Sequence, residues 1–235
     1  MQYQLNKNDI HIWQASLHWP RQKINDALCL LSEEEQARAK RFVMDIHREN
    51  YITSHAILRE VLSYYLRCSP QDLQFRRNSH GKPYLSELLG DVNLQFNMSD
   101  SQQVAMYAIT LGREVGIDVE FMKPDVHVME IAERFFSPKE YEQLLLLPAA
   151  DRLQGFYRCW TRKEAYIKAI GQGLSFPLSR FTVSLQPEKW DCLLEVDGRT
   201  DLVRPWKLFS IQSVVGYQAA LAIEGEVGEV KYMNI

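Results

Sequence analysis

The stretch "REVGIDVE", Arg113–Glu120, decides how the rest of the chain is read. Val115, Ile117 and Val119 alternate with Gly116, Asp118 and Glu120. Alternation of period two is the mark of a strand with one face buried. It puts Asp118 and Glu120 on one face, two residues apart, although like charges repel and acids are poor strand formers. Something else must face them.

The same order of elements surrounds this strand on both sides. Before it come a strand in "DIHIWQASL" (9–17), a helix opened by Ser32 with Glu35 three residues on, and a long helix over 47–66. A Ser-x-x-Glu start is a capping box, in which each side chain bonds the other residue's backbone N–H. "HGKPYL" predicts a turn and a short strand, and "VNLQFNMSDSQQVAMYAITL" a hairpin turning near Ser101. After it, "SPKEYEQLLLL" predicts a helix capped by Ser137, with Pro138 at its first position and Glu140 closing a second box. "RLQGFYRCWTRKEAYIKAIG" predicts a longer helix ended by Gly171. "FTVSL" and a second hairpin in "WKLFSIQSVVGYQAALAI" follow. The fold class expected is α/β (α+β): two similar halves, 1–115 and 116–235, with a cleft between them where a ligand sits.

Composition narrows the function. The chain has 235 residues, 46% apolar and 24% charged, with a formal charge of −3, which argues against a nucleic-acid partner. The four cysteines stand apart, with no CxxC pair or zinc spacing, so free thiols are expected. No apolar signal region and no run long enough for a membrane is seen, so a cytoplasmic protein without a membrane partner is expected.

"WTRKEAYIK", Trp160–Lys168, supplies a partner for the strand acids. At about 100° per residue, Glu164 and Lys168 lie side by side at the edge of the stripe marked by Phe156, Trp160 and Ile167. Three carboxylates, Asp118, Glu120 and Glu164, make a plausible oxygen set for Mg²⁺ or Mn²⁺, with a lysine beside them for phosphate. The ordinary alternative is a solvent-facing strand edge and an i,i+4 Glu–Lys pair. A metal-dependent nuclease is a third reading, but it calls for a basic surface that the composition lacks.

The sequence resembles the Sfp-type 4′-phosphopantetheinyl transferases from about Ser32 to Ser184. The likeness rests on "GKP" (81–83), "FNMSDS" (96–101), "GIDVE" (116–120), "RFFSPKEY" (134–141) and "WTRKEAYIKAIGQGLSFPL" (160–178). It implies a pseudo-dimer of two α/β subdomains. It also implies an enzyme that moves the phosphopantetheine arm of coenzyme A to a serine of an apo carrier protein (acyl, peptidyl or aryl), releasing adenosine 3′,5′-bisphosphate. By the same resemblance Asp118, Glu120 and Glu164 match metal ligands and Lys168 a pyrophosphate contact. Lys82, Pro83, Ser99 and Asp100 fall at the coenzyme, and Arg41 near its 3′-phosphate. Glu164, Lys168 and Glu140 are the candidate catalytic residues, although the capping box alone accounts for Glu140.

Two positions depart from the family's pattern: Asp100 stands where a histidine is common, and Asn50 where an arginine is frequent, with Arg48 or His47 as possible replacements. They keep open a non-catalytic relative that binds coenzyme A or a carrier. Trp160 is read as packing, and His55 as a satisfied helix residue rather than a cleft residue. Leu174 and Phe176 are read either as a carrier contact or as core. A chain containing its own second half is expected to be a monomer.

Overall fold

A computed structural model describes residues 3–86, 93–187 and 190–235, the Leu174 side chain excepted. The fold is mixed α/β, in four layers. The first half gives β1 (Ile10–Ser16), α1 (Arg21–Ala27), α2 (Glu33–Ala39), α3 (Asp45–Leu66), β2 (Phe75–Arg77), β3 (Pro83–Leu85), β4 (Leu94–Ser101) and β5 (Val104–Leu111). The second gives β6 (Val115–Phe121), α4 (Val128–Phe135), α5 (Pro138–Leu146), α6 (Arg152–Ile170), β7 (Phe181–Val183), β8 (Leu193–Val196), β9 (Trp206–Ser210), β10 (Tyr217–Glu224) and β11 (Val230–Asn234). Both capping boxes form as read, at Ser32/Glu35 and Ser137/Glu140. The expected hairpin at 92–111 forms from Leu94 onward, its first residue, Val92, lying outside the described residues.

One sheet runs β11-β1-β5-β4, the other β6-β10-β9. They pack face to face through Ile10, Ile12, Met106 and Ala108 on one side and Val115, Ile117, Val119 and Leu221 on the other. α3 covers the outer face of the first sheet with Ile57, Val61 and Leu62. α6 covers the second, against Ala220 and Ala222. Strands β8 and β11 were not anticipated. β11 pairs in parallel with β1, so the last strand of the second half completes the sheet of the first.

Two local features set the distance between β6 and its neighbours. Gly116 lies under α6: a Cβ there would stand 2.0 Å from the Ala165 carbonyl oxygen and 2.4 Å from the Ala169 nitrogen. Only a residue without a side chain lets the helix sit this close. On the other side, β4 and β6 run alongside in the same direction without a shared backbone ladder. Alternate side chains of β4 replace it. Asn97 Oδ1 accepts from Ile117 N at 2.9 Å, Ser99 Oγ donates to Asp118 Oδ1 at 2.9 Å, and Ser101 Oγ donates to Glu120 Oε2 at 2.7 Å.

Candidate active site

The alternation in β6 now has its answer. Val115, Ile117 and Val119 are fully buried between the sheets, and Asp118 and Glu120 turn toward α6 and β4. Lys168 Nζ reaches Asp118 Oδ1 at 2.6 Å and Ser99 Oγ at 2.8 Å. The second Asp118 oxygen, Oδ2, is buried without a hydrogen-bond partner among the described residues. An ionised carboxylate oxygen left unpaired away from water is costly, so this atom is an open valence of the site.

The neighbouring acids carry the strain. Burial, then the charge of Asp118, push the Glu164 carboxyl up to about 7, with Lys168 opposing and Glu120 adding a smaller push. Burial and Asp118 also raise Glu120, with Ser101 and Lys168 pulling the other way. Among the described residues, no group of three or more His, Cys, Asp or Glu side chains is arranged to enclose a metal ion. The acids are turned to other partners: Asp118 to Lys168 and Ser99, Glu120 to Ser101. The donor set still fits a hard cation in kind, since it is all carboxylate oxygen and one atom of it is orphaned.

Beside this cluster opens a pocket of about 990 Å³. Met98, Ser99, Asp100 and Lys168 line one part of it, and the rest includes Arg38, Arg76 and Arg77 together with Glu33, Glu34 and Glu35, and Tyr51, His55, Pro83 and Tyr84. Asp100 faces solvent, but protein around it displaces enough water to raise its carboxyl pKa, with Lys168 opposing. His55 corrects its first reading as an internally satisfied residue alone. Its ring stacks on Tyr51 with centroids 3.9 Å apart, Nδ1 donates to the Tyr51 carbonyl at 3.0 Å, and it also borders the pocket. Burial holds it neutral, with a pKa lowered to about 4.

Three expected residues are not brought here. Glu140 is fully buried. It pairs with Lys163 Nζ at 2.7 Å and accepts from Ser137 N and Val183 N at 2.8 and 2.7 Å. These partners tie α5 to α6 and β7, the structural role its capping box implies, and place it outside the acid cluster and the pocket lining. The Lys82 ammonium does not border the pocket. It bonds the Ala169 carbonyl at 2.8 Å and pairs with Glu114 at 2.5 Å, capping the C-terminal end of α6. Arg41 lies past the end of α2, exposed and outside the pocket lining, whereas Arg38, inside the last turn, borders it.

Arg38, Arg76 and Arg77 were missed, and "FRRNSHGKPYL" held the signal for two of them: the turn at Gly81 implies a strand before it as well as after. Nor do Arg48 and His47 replace the family's arginine near Asn50. Arg48 pairs with Asp45, His47 is exposed, and Asn50 donates to the Gln102 carbonyl in the β4–β5 turn. Trp160 packs on Phe156 and Phe136. Phe176 is buried against Phe181, so it belongs to the core.

Two family sequence models match the chain in tandem. "4′-phosphopantetheinyl transferase, N-terminal" covers residues 13–111, and "4′-phosphopantetheinyl transferase superfamily" covers residues 114–222. The 4′-phosphopantetheinyl transferase HetI of Nostoc sp. is 34% identical over 98% of this chain and 94% of its own length. The chain belongs to the 4′-phosphopantetheinyl transferase superfamily. The transferase is of the Sfp type: Sfp of Bacillus subtilis is 32% identical over 68% of this chain and 69% of its own, and psf-1 of Bacillus pumilus 32% identical over 72% and 70%. As in its family, the transferase's substrate is coenzyme A, and its reaction is transfer of phosphopantetheine to carrier proteins. No observation favours the nuclease or the non-catalytic reading. No helix among the described residues is long and apolar enough to cross a membrane.

Proposed function

We propose that this transferase is Mg²⁺-dependent and attaches phosphopantetheine to a serine of an apo carrier of acyl, peptidyl or aryl type, releasing adenosine 3′,5′-bisphosphate. We further propose that it acts as a cytoplasmic monomer built of subdomains 1–115 and 116–235, with β11 lent back to the first. The observation that carries the reading is the buried Asp118 Oδ2, without a hydrogen-bond partner among the described residues, beside two acids whose carboxyl groups are raised by burial and then by the Asp118 charge. Asp118, Glu120 and Glu164 would hold the ion, whose charge would offset that of the coenzyme's pyrophosphate.

The remaining work falls to the chain's own groups. Lys168, at the border of pocket and acid cluster, is the donor for pyrophosphate oxygens, because its ammonium stands 2.6 Å from Asp118 and lines the pocket. Ser99 fixes Asp118 and Lys168 relative to each other. Arg38, Arg76 and Arg77 offer the anionic nucleotide end its counter-charges. The carrier serine attacks the β-phosphorus as adenosine 3′,5′-bisphosphate leaves, and Glu164, the one acid of the cluster carried on α6, is the group to take its proton. Phosphoryl-type transfer asks mainly for positioning and charge neutralisation, which suits a site with few catalytic side chains.

The test is incubation with coenzyme A, Mg²⁺ and a panel of apo carriers, read by intact mass. One carrier should gain the phosphopantetheine mass, and excess chelator should abolish the gain. An unchanged gain under chelator would remove the metal from the reading, and no gain on any carrier would remove the transfer.

A further inference from the structure

A second cavity, of about 550 Å³, lies in the second half between the end of α5, the start of α6 and residues 184–187. None of the residues assigned to the active cluster lines it. Its apolar wall is Leu146, Leu147, Leu185 and Leu194, and Arg158 contributes a charge. Arg158 is only 9% exposed. Its Nη1 donates to the Leu185 carbonyl at 2.8 Å, and it forms no ion pair among the described residues. Asp151, exposed on the rim, acts on it only through its field.

One turn further along α6, Arg162 is wholly buried. It donates to the carbonyls of Ser184 and Gln186 and to Ser210 Oγ, while its Nε finds no partner among the described residues. Two guanidinium groups are thus buried a turn apart, each lowered in pKa first by burial, and Arg162 further by Arg158. Neither pairs with a carboxylate among the described residues. An arginine cannot shed its charge as a buried lysine can, so Arg158 keeps a fixed positive charge at the wall of the cavity for an anion that enters it. The cavity reaches only Arg158, which makes that residue the anion's point of attachment.

We propose that this cavity binds a small amphiphilic carboxylate, its head group on the Arg158 guanidinium and its apolar body against Leu146, Leu147, Leu185 and Leu194. A planar fork of donors matches a carboxylate, and the leucine wall selects an apolar body over a bare inorganic anion. The proposal stands apart from the transfer reading, because the two sites share no lining residue.

The test is calorimetric titration of the full chain, saturated with coenzyme A so that the larger pocket is filled, using decanoate, decanol and inorganic phosphate. Decanoate should bind with one site, and decanol and phosphate at least tenfold more weakly. Arg158→Gln should weaken decanoate at least tenfold. Gln154→Glu should do the same, since it sets a carboxylate one turn before Arg158 on the exposed side of the cavity, and it should raise the melting temperature. Should Arg158→Gln fail to fold, Gln154→Glu carries the test alone. Equal decanoate affinity in the folded variants, decanol binding as tight as decanoate, phosphate binding as tight as decanoate, or no uptake by the wild type would each overturn the proposal.

Discussion

Two lysines of α6, five residues apart, each meet a carboxylate, and the pairs have opposite characters. Lys163 and Glu140 are both fully buried, 2.7 Å apart. Each also has further hydrogen bonds: Lys163 to the carbonyls of Leu178 and Phe181, Glu140 from Ser137 N and Val183 N. Lys168 and Asp118 are closer, at 2.6 Å, but the lysine is 28% exposed and one aspartate oxygen has no hydrogen-bond partner among the described residues. The first pair is saturated and closed, as a buried ion pair must be to hold a fold together. The second is incomplete and open to a pocket, as a site that must accept a ligand has to be. A short salt bridge does not distinguish structure from function; the unsatisfied valences around it do.

The comparison breaks most visibly through Lys163→Ala. It leaves Glu140 buried and unpaired, and about 3–5 kcal/mol of stability should go, the usual scale for splitting a buried pair. Urea denaturation measures it. Lys168→Ala, at a part-exposed position, should shift the same curve by less than about 1 kcal/mol. Equal losses would show that the two pairs do the same job.

Next in size is the effect on transfer. Asp118→Ala and Lys168→Ala should each lower carrier modification by about 10²–10³-fold, the scale of removing one preorganised charge contact. The far-UV circular dichroism should stay unchanged. Folded variants with near-normal turnover would take both residues out of the site.

A smaller effect sharpens the electrostatic half of the comparison. Glu164, raised from 4.5 to about 7, keeps in the folded chain a proton that the unfolded chain releases. Between those values the native state binds more protons, so stability falls as pH rises through that window and levels off above it. In metal-free buffer Glu164→Gln should therefore be more stable than wild type above pH 7, by no more than about 3 kcal/mol, and the two should converge near pH 4. Added Mg²⁺ should close the gap. A difference that does not change with pH would mean that the Glu164 carboxyl is not raised in the folded chain.

The smallest effect concerns Asp100, which stands where the family commonly has a histidine and faces the pocket. Asp100→His should tighten coenzyme A more than dephospho-coenzyme A. Because Lys168 already opposes the Asp100 charge, the change in the ratio of the two dissociation constants should be only about threefold to tenfold at low salt. An unchanged ratio would mean that Asp100 lies away from the 3′-phosphate.

Local pattern determined which residues form β6 and α6, which faces they present, and where the two capping boxes open α2 and α5. Asp118 and Glu120 on one face, with Glu164 and Lys168 one turn apart, follow from periods of two and 3.6 residues, and those periods are properties of neighbouring residues alone. What each face meets is a property of the packed chain. Only the tertiary structure put Gly116 under Ala165, drew β4 against β6 through Asn97, Ser99 and Ser101, and returned β11 to β1. It also sealed Glu140 against Lys163, turned Lys82 onto the end of α6, and brought Arg38, Arg76 and Arg77 rather than Arg41 to the pocket. Those outcomes depend on where elements dock across tens of residues of intervening chain. A charged side chain that caps a helix, pairs in the core or lines a cavity looks the same in sequence until its surroundings are fixed.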